Sequence, residues 1–149
     1  MTVRVLTVAR ILLVLCTATP AATAVATPPD GDAARTDLAK GTMDTPISIT
    51  TDGSATVVVQ SLVMQPGASS GWHSHAGTEL SVITGGSVSL QTATACTPVT
   101  YGAGQAVFIP AGVPHRVVNT SGAEGQVVLT YTLAVDAPVR ADAPDACPN

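Results

Sequence analysis

His73-Ser74-His75-Ala76-Gly77-Thr78-Glu79 gathers two of the three histidines and one of the two glutamates of a 149-residue chain into seven positions. Residues two apart on a strand face the same way, so the imidazoles of His73 and His75 can reach one ion from a single strand. Ala76-Gly77-Thr78 suits a turn that returns the Glu79 carboxylate toward the same point. The last histidine, His115, follows Pro110-Ala111-Gly112-Val113-Pro114 and can enter from a neighbouring strand as a fourth ligand. Three neutral imidazoles and a carboxylate suit one divalent transition metal (Fe, Mn, Ni, Cu or Zn) better than Ca or Mg, with positions left for water or substrate. A lone histidine is more often exposed or hydrogen-bonded than a ligand, but three that fall together with a glutamate argue for a site.

Around this stretch the chain reads as strands and turns. Runs rich in Val, Ile and Thr occupy Ile47–Thr51, Thr56–Met64, Leu80–Thr84, Val88–Thr92, Val107–Ile109, His115–Val118 and Val127–Val135. In the last, Leu129, Tyr131, Leu133 and Val135 alternate with Thr130, Thr132 and Ala134, the period of a half-buried strand. Gly85-Gly86 signals a tight hairpin. No segment carries a sustained helical period, so the expected fold class is all-β, a sandwich or barrel. Leu38–Met43 can add an edge strand, including to a neighbouring copy, which leaves a homodimer open.

The spacing of the motif residues then resembles a known family. Gly67, His73, His75, Glu79 and Gly86 are separated by five, one, three and six residues, and Gly104, Pro110, Gly112, His115 and Asn119 by five, one, two and three. Both series match the two cupin motifs without departure, seventeen residues apart, and the resemblance covers about Ile47 to Val135. It implies a cupin-type jelly roll (double-stranded β-helix) barrel with His73, His75, Glu79 and His115 as metal ligands. Gly67, Gly86 and Gly112 sit where positive φ is cheap for glycine alone, and Pro110 stiffens the turn before His115. Asn119 is expected to tie a strand end. Trp72 and Arg116 should point away from the metal by alternation, toward the surface, while Tyr101, Phe108, Tyr131 and the methionines are read as core, some of them pocket-lining.

Composition sets the compartment and the partners. Arg4 and Arg10 precede an apolar run, Ile11–Leu15, then small residues to Ala24-Val25-Ala26, the order of a signal peptide with its cleavage site. The run is too short for the roughly 20 residues of a membrane span, and a lipoprotein reading through Cys16 ranks lower because Leu15 precedes that cysteine. The expected organisation is 1–26 signal peptide, 27–46 flexible leader, 47–135 barrel and 136–149 tail, in a protein that is secreted or held in the cell envelope or periplasm. After cleavage, four basic and ten acidic side chains leave a formal charge of −6 and no basic patch, which excludes nucleic acid as a partner, and no membrane span remains. Cys96 and Cys147 remain as an even pair for which a disulfide is the default after export; free thiols and a metal site including Cys96 are the alternatives. The chain also resembles small exported bacterial cupins with one cysteine between the motifs and another in a Pro- and Asp-rich tail, which supports the pairing.

Two classes of function are implied by the resemblance. One is a metal-dependent dioxygenase acting on a small molecule, in which Glu79 doubles as a catalytic base on detaching from the metal. The other is a module that binds a metal or small ligand without turnover. The sequence holds no Ser-His-Asp set, no phosphate-cradling loop and no second carboxylate evidently placed beside the site, which weakens isomerase and hydrolase readings more than an oxygenase, whose cofactor carries the chemistry.

Overall fold

The computed structural model describes residues 31–147; the expected signal segment, with Cys16, lies outside them. Among the described residues there are nine strands and no helix: β1 (Ala55–Met64), β2 (His73–Ser74), β3 (Thr78–Gly85), β4 (Ser87–Thr92), β5 (Ala95–Gly102), β6 (Ala106–Ile109), β7 (His115–Val118), β8 (Gly125–Ala134) and β9 (Ala141–Asp142). All lie in the unit that begins at Thr36. They form two antiparallel sheets, one in the order β1-β8-β3-β6 and the other β5-β4-β7-β2-β9, the two-sheet jelly roll expected from the sequence.

The alternation in β8 decides what lies between the sheets. Val127, Leu129, Tyr131 and Leu133 are buried, and with Met64, Ile83 and Val88 they form one apolar cluster. Each such side chain contributes on the order of 1.5–3 kcal/mol on leaving water. Val135 is not part of the pattern: β8 ends at Ala134, Val135 is 52% exposed, and Asp136 turns the chain with φ +64°.

Other expectations need correction. Ile47–Thr51 alternates but forms no strand, because it pairs with no neighbour that would hold its backbone in a ladder; Ile47 and Ile49 are exposed. Gly85-Gly86 is not a hairpin, since β3 and β4 belong to different sheets. Gly86, at φ +61°, redirects the chain between them, and a Cβ there would lie 2.1 Å from the Glu124 carbonyl oxygen. Of Leu38–Met43 only Thr42 pairs, in a parallel bridge with Gln105 of the same chain.

Two strands carry no clear signal in the sequence. β5 contains Pro98 and is tolerated as the edge of its sheet, where a missing N–H costs no ladder bond. β9 brings the tail back beside β2, pairing His73 with Asp142 and Ser74 with Ala141.

Candidate metal centre

The histidines come from the second sheet and the glutamate from the first. His73 of β2 lies directly across from His115 of β7, and His75 follows β2 by one residue. Glu79 stands on β3, opposite Tyr131 of β8 and Ile109 of β6. Two links hold the chain between them. The Gly112 N–H donates to the His75 carbonyl at 2.8 Å, and Gly77 passes so close to β8 that a Cβ on it would lie 1.8 Å from the Thr132 carbonyl oxygen. The turn expected at 76–78 is therefore a passage from one sheet to the other.

All four side chains are buried, from 1% exposed for His115 to 6% for His73. The ring centroids of His73 and His115 are 4.3 Å apart, those of His73 and His75 4.9 Å, and those of His75 and His115 5.1 Å. One ligand atom from each histidine lies within 4.8 Å of the other two.

Each imidazole is held by its other nitrogen. Nδ1 of His73 meets the Gly71 carbonyl at 2.9 Å, Nδ1 of His115 meets the Val113 carbonyl at 2.9 Å, and Nδ1 of His75 meets the Val139 carbonyl. A carbonyl only accepts, so Nδ1 carries the proton in each ring and the neutral imidazole turns the lone pair of Nε2 inward. Those lone pairs face a carboxylate: Glu79 Oε2 is 2.8 Å from His75 Nε2 and 3.5 Å from His115 Nε2. These three buried atoms have no hydrogen-bond partner among the described residues. Acceptors that close repel unless a proton or a cation sits among them, and backbone-anchored imidazoles with a buried carboxylate are the donor set a divalent transition metal requires.

The same geometry sets the charge states. Burial holds His73 down to about 4. Burial opposes ionisation of Glu79 as well, but the nearby imidazoles of His115 and His75 and the Ser81 hydroxyl bond outweigh it and hold the carboxyl at about 2. Burial also works against His75, yet Glu79 and the Val139 carbonyl raise its pKa above the ordinary value.

Two neighbours of these four side chains are not singled out by the sequence motifs. Ser81 donates its hydroxyl to Glu79 Oε1 at 2.5 Å, leaving Oε2 for the histidines; its position two residues along the same strand is the available signal. The Tyr131 ring packs on His75 at 4.6 Å, and burial and the Glu79 charge raise its pKa, so its hydroxyl stays protonated. Asn119, fully buried, ties the strand end as expected, donating to the Met64 and Ala123 carbonyls at 2.8 and 2.7 Å. Trp72 does not lie at the surface: it is 4% exposed, with the Arg116 guanidinium 5.5 Å from its ring centre. The tail and Arg116 make this outer face of β2 a second, small packed layer; the Ala143 N–H donates to the Trp72 carbonyl at 3.0 Å.

A cleft of about 600 Å3 opens over His73 and His75, walled by Leu62, Val117, Leu129 and Tyr131 and closed on one side by Val139 and Arg140 of the tail. A disulfide between Cys96 of β5 and Cys147 fastens that tail, with Cα atoms 5.5 Å apart. No helix among the described residues is long and apolar enough to cross a membrane.

Comparison with known proteins agrees with this architecture. The family profile described as Cupin domain matches residues 60–131. Among solved structures, the polyketide cyclase RemF from Streptomyces resistomycificus is similar at 24% identity, with a TM-score of 0.53 over 62% of this chain and 64% of that one. The DMSP lyase DddQ from Ruegeria pomeroyi DSS-3 is similar at 20% identity, with a TM-score of 0.52 over 58% of this chain and 42% of that one. A Cupin 2 conserved barrel domain protein from Salinispora arenicola CNS-205 shares 28% identity over 50% of this chain and 61% of that one, with a TM-score of 0.47. The chain thus spans less than two thirds of the length of each, and the likeness to RemF and DddQ concerns the fold alone. No curated protein matches the sequence.

Proposed function

For a chain that belongs to the cupin superfamily, with its cupin domain at residues 60–131, we propose an exported protein that holds one divalent transition metal and works as a metal-dependent dioxygenase on a small molecule. The ligands in this reading are His73, His75, His115 and Glu79. The observation that carries it is the meeting of three unpartnered buried atoms, Nε2 of His75 and His115 and Oε2 of Glu79, below an open cleft. A bound metal of this class would supply the site for substrate and dioxygen.

The chain's own residues prepare and limit that chemistry. Backbone carbonyls fix the three rings, Ser81 fixes the glutamate, and Leu62, Val117, Leu129 and Tyr131 give the cleft an apolar wall beside His73 and His75. Among the described residues no carboxylate lines the cleft, and the Tyr131 hydroxyl is a donor rather than a base. Acid–base chemistry by side chains alone thus has little to work with, which favours a reaction carried by the cofactor. A base role for Glu79 would require release of Oε2 from the metal, while Ser81 keeps its hold on Oε1. Removal of residues 1–26 on export belongs to the same reading, supported by the disulfide.

The test is to purify the exported chain, measure metal by elemental analysis, and follow oxygen uptake with enediols, phenols, flavonols and thiols. About one metal per chain and uptake with one substrate class are expected. Full metal with no uptake across the panel would leave a binding module instead. The double variant His73→Ala, His75→Ala should lose the metal and stay folded; retained stoichiometric metal would overturn the ligand set.

A further inference from the structure

Among the described residues Arg140 is the one permanently charged side chain that lines the cleft over the histidines. The tail places it there: β9 pairs with β2, the Val139 carbonyl holds His75, and the disulfide at Cys147 fastens the end of the tail. Its guanidinium is only partly engaged. Nη2 donates to the Ser70 carbonyl at 2.9 Å, and Nε and Nη2 lie 3.0 and 2.9 Å from Asp142 Oδ1, while Nη1 donates to no group among the described residues. Asp142 is 85% exposed, so that ion pair is screened by water and exchanges readily for another carboxylate. Ser70, the neighbour on the other side, also lines the cleft.

The charges in the cleft do not balance without a ligand. A divalent ion held by three neutral imidazoles and one carboxylate keeps a net positive charge, and Arg140, whose only counter-ion among the described residues is the water-exposed Asp142, stands in the same cleft beside apolar walls of Leu62, Val117, Leu129 and Tyr131. Guanidinium presents paired N–H donors that match a carboxylate in bidentate fashion. We infer that Arg140 is a specificity residue that selects small molecules bearing a carboxylate, with the acid group against the guanidinium and a second oxygen donor directed to the metal. The inference rests on the metal reading above and adds the substrate class.

Calorimetric titration of the full exported chain, loaded with Zn2+ and in parallel stripped of metal, tests this with malonate, succinate and glutarate against their monoamides. The series scans the span between the two ends while removing only one charge. At least one diacid should bind the Zn2+ protein tenfold or more tighter than its monoamide. Arg140→Gln should remove that preference at unchanged Zn2+ content, and Arg140→Lys should restore part of it. Asp142→Asn separates recognition from a merely structural ion pair: freeing the guanidinium should tighten diacid binding about threefold, whereas a tail-fastening role would weaken it. Equal affinity for every diacid and its amide, or a preference that survives Arg140→Gln, would overturn the inference. If the wild-type chain fails to hold Zn2+, the metal reading falls, and the stripped arm still decides this one through an Arg140-dependent preference for diacids.

Discussion

β1 and β8 pair over ten residues, from Ala55 with Ala134 to Met64 with Gly125, whereas β2 is two residues long and leans on His115 to one side and on Ala141 and Asp142 to the other. The long pair belongs to the sheet that supplies most of the apolar cluster and the single carboxylate; the short strand belongs to the sheet that supplies all three histidines. Most of the apolar packing thus belongs to one sheet, and the three histidines stand where the other is most dependent on its neighbours. So short a strand can keep His73 and the adjoining His75 in place because a backbone carbonyl holds each ring, Gly71 just before the strand for His73 and Val139 of the tail for His75.

That division can be broken at either sheet. Leu133→Ala, at a position 2% exposed in β8, should cost about 2–5 kcal/mol in urea unfolding and leave metal stoichiometry unchanged under conditions where the protein is folded. A loss of metal in that variant would show that the sheets are not separable. Cys96→Ser with Cys147→Ser should cost about 2–4 kcal/mol and also lower metal affinity about 10–100-fold, the usual effect of losing an outer-shell partner. The reason is that the freed tail takes the Val139 carbonyl from His75. Affinity equal to that of the wild type by calorimetry would dismiss the tail as a support of the site.

Acid should weaken the metal-stripped protein in two overlapping steps. His73 is held to about 4 against an ordinary 6.5, so its contribution is complete above 6.5 and disappears as the pH falls toward 4. Glu79 is held at about 2 against 4.5, so its contribution is complete above 4.5 and disappears toward 2. His75 has the opposite sign: its raised pKa adds stability that is full below 6.5 and fades as the pH rises through its folded value. Urea midpoints measured from pH 7 to pH 3 check this, and a midpoint that climbs steadily into acid would contradict it. The smallest effect is expected on the outer face of β1, where Val59 is 59% exposed: Val59→Thr should shift stability within about 0.5 kcal/mol.

The candidate ligands are legible in the sequence because their signals are local. Two histidines at strand spacing, a glutamate four residues on and a proline-stiffened approach to His115 can all be read without knowing what packs against what. The alternation of Leu129, Tyr131 and Leu133 is legible for the same reason. The features that escape such a reading depend on contacts far along the chain. Nothing near Val139 or Arg140 announces that the tail returns to β2, and Pro98 disguises β5 until its place at the edge is known. Trp72 is misplaced by alternation because that pattern tells which side of the sheet a residue takes, not whether another segment covers that side.

Gly77 makes the passage from His75 to Glu79 intolerant of replacement. Every other coded residue carries a Cβ, and none fits where a hydrogen already meets the Thr132 carbonyl. In a saturation library this position should therefore be as empty as the ligand positions, although its residue binds nothing. A survey of fitness alone would count it among the functional residues, and only separate readouts of folding and of metal content would tell the hinge from the hands it holds together.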